Sequence, residues 1–221
     1  ADNKWEDRII FEEIPSGQTW LTCIADAMRR NRVLSITHQG FGKPEPSTFE
    51  IEPYCLKVVK RRWYVVARSP YYSERNKEKG IKPVDVYRVY ALDRISDIQD
   101  TGKTFKMKKD FDVNQYFEGC CGVITSDEPI QRIVLLAFGG FADYLRTLPL
   151  YESQREIEGD DESTLFEYHL KPTFDFYQLV LAQGDQVEVL EPESVRNEMR
   201  NFAKNMLDYY TWKEEDKPCK E

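Results

Sequence analysis

The side chains with the clearest potential for chemistry are arginines and aromatic residues within 61–95. Trp63 and Tyr64 directly follow two arginines, and Arg88 and Arg94 flank a second aromatic run. The planar guanidinium of arginine binds phosphate in a bidentate manner, and aromatic rings stack on nucleobases. This combination indicates binding of nucleic acid or of a nucleotide-derived anion.

The charge distribution agrees with an anionic ligand for this part of the chain. The whole chain has 31 Lys and Arg against 39 Asp and Glu, a net charge of −8. Residues 29–109 nevertheless carry 19 basic against 9 acidic side chains, whereas residues 129–221 carry 10 against 19. A basic block inside an acidic chain suggests an anionic partner, although charge alone more often reflects a solvated surface.

No motif of an enzyme is evident in the sequence. The two histidines, His38 and His169, are far apart, and no HExxH, GxSxG or phosphate-loop pattern occurs. The glycine pair at 139–140 lacks the third glycine of a dinucleotide fingerprint. We therefore expect no enzyme, no metal and no cofactor. A metal nuclease using Asp93 and Asp97 is the weakest alternative, since no third ligand is apparent.

The cysteines indicate a reducing compartment. They are odd in number and form no CxxC pair, which argues against both a disulfide framework and a zinc site. Their positions are Cys23, Cys55, Cys120, Cys121 and Cys219. No apolar run is long enough to span a bilayer and no signal peptide opens the sequence. We expect a cytoplasmic protein without a membrane partner.

The first half of the chain predicts one helix followed by short strands. The helix covers 17–31, with Ser16 as its N-cap. A polar loop is expected over 70–83 and a short connecting helix over 104–117. The predicted strands cover residues 33–38, 48–52, 55–60, 63–68 and 84–91. Such strands favour a small Sm- or SH3-like β-barrel, because closure removes exposed edges.

The second half predicts the order β-α-β-β-α-β, which is typical of a ferredoxin-like sandwich. Its strands cover residues 131–137, 151–157, 163–170 and 186–190, and a helix starts at Pro172. A last helix starts at Pro192 and carries an apolar stripe. The stripe consists of Val195, Met199, Phe202, Met206 and Tyr209 or Tyr210. The glycine-rich run 118–129 is the expected domain boundary.

Several short motifs occur in a fixed order along the chain. Their residues are Pro53, Leu56, Trp63, Tyr64, Val65, Arg88, Tyr90, Leu92, Asp93, Arg94 and Ile95. Together they resemble the WYL domain family. The stretch 149–154 and the LEP sequence with the helix after it are similar to WCX, the C-terminal extension of many such proteins. The resemblance departs from the family pattern at His38, Val65, Ala91 and Tyr151.

The resemblance implies an α+β fold in three parts. An N-terminal segment and helix over 1–32 lead into a WYL Sm-like barrel with its connecting helix over 33–118, and a WCX-like, ferredoxin-like domain follows over 129–212. It also implies a regulatory module of a bacterial transcriptional regulator, which senses single-stranded nucleic acid or a nucleotide-derived ligand. In that family the signal passes to a helix-turn-helix domain that contacts DNA, and residues 1–16 are too few to form one.

The ligand-binding residues that we predict all lie in the basic block. They are Tyr64, Arg88 and Arg94, followed by Trp63, Arg68 and His38. Strand alternation leaves some roles open, because Trp63 shares a face with Val65 and suits a core position equally well. The alternative function is a homodimer or other interaction module, formed by the acidic second domain and its amphipathic last helix.

Overall fold

The computed structural model describes residues 17–211, so Ser16, the predicted cap of the first helix, lies outside the described residues. The chain forms two compact units that divide between Val113 and Asn114. Within the described residues, no helix combines the length and the apolar character needed to cross a membrane.

The first unit is one antiparallel sheet with helix α1 (Gln18–Arg30) on its apolar face. The strands follow the order β4-β3-β2-β1-β5 across the sheet. Their bounds are β1 (Arg32–His38), β2 (Ser47–Val59), β3 (Arg62–Arg68), β4 (Tyr87–Ala91) and β5 (Ile95–Thr104). A 3-10 turn over Leu92–Arg94 joins β4 to β5. This turn places Asp93 and Arg94 next to each other at the end of the sheet.

The core of this unit lies between α1 and the inward face of the sheet. Burial of such aliphatic side chains is the main favourable contribution to folding. Trp20 of α1 also donates a hydrogen bond of 3.0 Å from Nε1 to the carbonyl oxygen of Ile95. The fully buried core residues are Ile24, Ile36, Ile51, Val65, Ala67 and Leu92. Helix α1 is thereby fixed against the turn that carries Arg94.

The closed barrel that we predicted is not confirmed. Among the described residues, β4 and β5 each pair with one neighbour and stand at opposite edges of the sheet. The separate strands expected over 48–52 and 55–60 are one strand, β2, with a bulge between Pro53 and Cys55. A bulge bends a strand without ending it, which explains why the pattern was interrupted in the sequence.

The loop predicted over 70–83 is wrong in its first part, which forms helix α2 (Pro70–Lys79). The Ser69 side chain accepts a hydrogen bond of 3.5 Å from the amide of Tyr72, and Pro70 occupies the first turn. Gly80 ends the helix with φ of 64°. Because α2 has few apolar residues, only these end signals identify it.

The helix predicted over 104–117 is also wrong for most of its length, and only α3 (Val113–Tyr116) is helical. The preceding segment is irregular, with a turn at 109–110, and packs its rings on Tyr54 of β2. Phe105 and Phe111 lie 5.6 and 4.8 Å from the Tyr54 ring, between centroids. The amide of Lys108 donates to the Tyr54 hydroxyl at 3.0 Å. These tertiary contacts outweigh the local helix preference.

The second unit has the predicted order β-α-β-β-α-β followed by a long helix. Its antiparallel sheet has the strand order β7-β8-β6-β9. The elements are β6 (Gln131–Phe138), α4 (Phe141–Thr147), β7 (Arg155–Gly159), β8 (Ser163–Leu170), α5 (Phe174–Leu181), β9 (Val187–Glu191) and α6 (Glu193–Thr211). Its core contains Ile133, Leu135, Leu145, Phe166, Tyr168 and Phe176.

The strand predicted over 151–157 begins later than expected, at Arg155. Gln154 folds the preceding residues into a turn, since its Oε1 accepts from the amide of Leu150 at 3.1 Å and its Nε2 donates to the Leu145 carbonyl at 2.7 Å. The buried Tyr168 hydroxyl donates to the same Oε1 at 2.8 Å. Gln154 therefore satisfies buried polar groups that a strand would leave unpaired.

Candidate ligand-binding site

Arg94 lies at the end of the 3-10 turn with its guanidinium carbon 3.4 Å from the centre of the Phe41 ring. Phe41 belongs to the loop between β1 and β2, and 78% of it is exposed. Within residues 17–211, no carboxylate forms an ion pair with Arg94. A cation held on an exposed ring, with no anionic partner in this part of the chain, is suited to a phosphate and a stacked base.

His38 lies close to Arg94, at the end of β1. Its ring makes edge contacts with Tyr90 and Phe49, at centroid distances of 5.4 and 6.5 Å. Burial lowers the pKa of His38, the charge of Arg94 lowers it further, and Asp93 opposes the shift. The Nε2 atom is buried and has no hydrogen-bond partner among the described residues. A buried polar atom without a hydrogen-bond partner is unfavourable for folding.

Asp93, which precedes Arg94, is paired with Arg62 at the start of β3. Arg62 Nε donates to Asp93 Oδ2 at 2.8 Å, and Arg62 Nη2 donates to the same oxygen. The other carboxylate oxygen of Asp93 is buried and has no partner among residues 17–211. The same holds for Trp63 Nε1, whose ring packs against the core of the first unit.

Tyr64 and Arg68 lie on the opposite face of β3 from Trp63, as the alternation of a strand requires. Arg68 is mostly buried and is fully engaged with carboxylates. Its Nη1 lies 3.1 Å from Glu52 Oε2, and its Nε lies 2.5 Å from Asp85 Oδ1. Its charge is therefore neutralised by Glu52 of β2 and by Asp85, which precedes β4. The hydrogen bond to Asp93 raises the pKa of Arg62, and Tyr64 contributes less to the same shift.

Arg88 is exposed on β4 and stacks on Tyr72 of α2, with its guanidinium carbon 4.0 Å from the ring centre. It pairs across the strands with Ala67, so it lies on the Trp63 face of the sheet. Its aromatic partner differs from that of Arg94. The structure thus brings His38 and Arg94 together, and it separates them from the Arg68 face.

Three residues that shape this surface were not predicted: Phe41, Arg62 and Tyr72. Phe41 lies between two glycines in a segment that the sequence marks only as a loop, and Tyr72 lies on the helix that was missed. Arg62 could have been noticed in the sequence, because it begins a strand directly before Trp63 and Tyr64. Its partner Asp93 is 31 residues away, and no local pattern links the two.

The family motif of the second unit has a structural role. Ser153 Oγ accepts from the amide of His169 at 2.9 Å and donates to its carbonyl at 3.0 Å. Together with Gln154, Ser153 attaches the turn that precedes β7 to strand β8. Tyr151 of the same motif has its pKa raised to about 12, chiefly by burial. No group of three or more His, Cys, Asp or Glu side chains within 17–211 is arranged to hold a metal ion.

Two antiparallel sheets, each with its own helices, define a two-unit α+β protein whose first unit carries a cationic, aromatic surface. The family model of the WYL domain matches residues 19–100, and that of the WCX domain matches residues 129–207. The chain therefore belongs to the proteins that combine a WYL domain with a WCX domain.

Two solved structures are similar to most of the chain. One is proteasome accessory factor B/C (PafBC) of Arthrobacter aurescens, with 21% identity and a TM-score of 0.34, over 90% of this chain and 28% of that one. The other is described as a CRISPR Cas-related protein, with 14% identity and a TM-score of 0.46, over 86% of this chain and 50% of that one. The chain thus spans half or less of each protein. No curated protein sequence matches it.

Proposed function

We propose that this chain is the ligand-sensing regulatory module of a transcriptional regulator and acts by binding, not by catalysis. The ligand is single-stranded nucleic acid or a nucleotide-derived anion, held at the surface formed by His38, Phe41 and Arg94, called here the Arg94 site. One observation carries the proposal: Arg94 lies on an exposed ring and has no carboxylate partner among residues 17–211. Membership of the WYL family supports the regulatory role.

The chemistry of the Arg94 site fits such a ligand group by group. The guanidinium binds a phosphate through charge-assisted hydrogen bonds, and the exposed Phe41 ring stacks on a base. His38, whose Nε2 is buried, supports the site by packing its ring on Tyr90 and Phe49. Recognition by charge and stacking is tolerant of sequence, so we expect binding that depends strongly on salt and weakly on base identity.

The test is fluorescence anisotropy with short, fluorescein-labelled single-stranded DNA and RNA over a series of salt concentrations. We expect affinity to fall with salt and Arg94→Ala to weaken binding by about tenfold. Arg29→Ala is the matched control, because Arg29 is an exposed arginine of the same unit that is paired with Asp26. Equal affinities of Arg94→Ala and the wild type would contradict this site.

A second function, homodimerisation, is favoured by the last helix. Val195 of its apolar stripe is buried in the core, whereas Met206, Tyr209 and Tyr210 of the stripe and the neighbouring Leu207 are exposed. The exposed fractions reach 61% for Leu207 and 87% for Tyr210. A contiguous apolar surface of this kind marks an interaction site more often than an isolated exposed residue does.

Size-exclusion chromatography with light scattering tests the dimer. If α6 forms the interface, the wild type has twice the mass of one chain, and a Leu207→Glu/Tyr210→Glu variant has the mass of one chain. Asn201→Glu, which adds a carboxylate to the exposed polar side of the same helix, is the control and stays dimeric. A monomeric wild type at high concentration would exclude this second function.

A further inference from the structure

We propose that Arg62 is a positioning residue for the Arg94 site: it holds the carboxylate of Asp93 so that Arg94 stays available for an anionic ligand. This inference rests on the proposed function. Within residues 17–211, no hydrogen bond or ion pair joins Arg62 to the Arg94 site, so Arg62 acts through Asp93. Its role is to prevent the two adjacent side chains, Asp93 and Arg94, from neutralising each other.

The geometry of the pair supports this role. Arg62 gives Asp93 two hydrogen bonds on a single oxygen, Oδ2, from Nε at 2.8 Å and from Nη2. The Asp93 side chain is 15% exposed and that of Arg62 is 36% exposed, so the contact is partly shielded from water. Charge-assisted hydrogen bonds that are partly shielded from water are stronger than hydrogen bonds between neutral groups. Arg62 starts β3, which fixes its backbone beside the turn.

The position of Asp93 explains why it has to be held. Asp93 and Arg94 belong to the same 3-10 turn. Burial lowers the pKa of His38 most, the Arg94 charge lowers it further, and the Asp93 charge raises it. A carboxylate released from Arg62 would be partly buried without a partner, which is unfavourable. Arg94, the next residue, is a cation without a carboxylate partner in the described chain. Pairing of Asp93 with Arg94 would remove the charge that binds the ligand.

A measurement without ligand tests the positioning directly. The chain has two histidines, so the proton NMR signal of the His38 ring can be followed in a pH titration with His169 as internal reference. In Arg62→Ala, the Asp93 carboxylate is released from its pair. Its negative charge then opposes the lowering of the His38 pKa by Arg94 more strongly. We expect the His38 midpoint to rise in this variant. In Arg62→Ala/Asp93→Ala, the midpoint returns to the wild-type value or below it.

Binding of fluorescein-labelled oligothymidylate gives the second readout. We expect Arg62→Ala to weaken binding by about tenfold and the added Asp93→Ala to restore most of it, because the competing carboxylate is gone. Arg62→Lys, which keeps the cation, stays near the wild type. A purely structural role for Arg62 would leave the double variant as weak as the single one, and would overturn the proposal.

The two readouts separate this inference from the proposed function. If the wild type does not bind the oligonucleotide but the His38 midpoint moves as expected, the nucleic-acid ligand is wrong and the positioning of Asp93 stands. If the wild type binds but neither the His38 midpoint nor the affinity changes in Arg62→Ala, the positioning role is wrong and the ligand stands. Circular dichroism confirms that each variant is folded.

Discussion

The guanidinium carbon of Arg88 lies 4.0 Å above the ring of Tyr72. This contact gives Arg88 a different aromatic partner from Arg94, which lies on Phe41. The two arginines come from one sequence motif, yet they form two separate cation–aromatic pairs. We expect a long nucleic acid to contact both pairs and a mononucleotide to contact only one.

This separation predicts how the two arginines contribute to affinity. For an oligonucleotide, Arg88→Ala and Arg94→Ala should weaken binding independently, and the double variant should show the sum of the two losses in free energy. Each loss of a phosphate contact should reduce the slope of log affinity against log salt by about 0.7. Anisotropy titrations at several salt concentrations measure both quantities. For a mononucleotide, only Arg94→Ala should matter, so an equal effect of Arg88→Ala would contradict the separation.

How much of this arrangement the sequence could reveal depends on the range of the contacts. The apolar spacing of β1, β3 and β6 and the stripe of α6 were visible locally, and these elements formed as predicted. Helix α2 was missed because its apolar pattern is weak, although Ser69 and Gly80 marked its ends. The irregular segment after β5 was missed because Tyr54, which holds it, lies about fifty residues away in the chain.

The candidate site was predictable only in part, for the same reason. Arginine and histidine positions could be proposed from residue type, but their availability depends on partners that the fold supplies. Arg68 and Arg94 look alike in the sequence. The structure gives Arg68 two carboxylates and gives Arg94 an exposed ring. The residues that surround each arginine in the sequence do not reveal which partner it has in the fold.

Arg68 should therefore matter for stability and not for ligand affinity. Arg68→Ala leaves Glu52 and Asp85 partly buried without their guanidinium, and we expect the free energy of unfolding to fall by about 1–3 kcal/mol. Urea unfolding measures the loss, and anisotropy should give wild-type affinity for the folded variant. Lys77→Ala, which removes an exposed cation of α2, is the control and should be close to neutral. Lost affinity at unchanged stability would place Arg68 in the ligand site.

His38 should make the stability of the first unit depend on pH. Burial and Arg94 lower its pKa below the ordinary value of 6.5, so the unfolded chain takes up the proton at a higher pH than the folded chain does. The free energy of unfolding should fall as the pH drops through 6.5 toward the folded pKa, and this contribution should be constant above that range. Urea unfolding of the wild type and of His38→Gln from about pH 7.5 to about pH 5.5 measures the contribution of His38 to this pH dependence. His169→Gln should retain the wild-type dependence.

Gly17 should be essential for the position of the turn that carries Arg94. A Cβ atom on this residue would lie 2.5 Å from Leu92 Cβ, and the backbone φ is +86°. Gly17→Ala should therefore push the turn away, lower the free energy of unfolding by about 2–4 kcal/mol and weaken ligand binding. Gly80→Ala separates the two causes, because Gly80 has φ of +64° but nothing within 4 Å of the added atom. Gly80→Ala should lower the free energy of unfolding by the cost of the backbone conformation alone, about 1 kcal/mol, and should keep wild-type affinity for the ligand. Equal losses of stability in the two variants would mean that contact with Leu92 does not fix the turn.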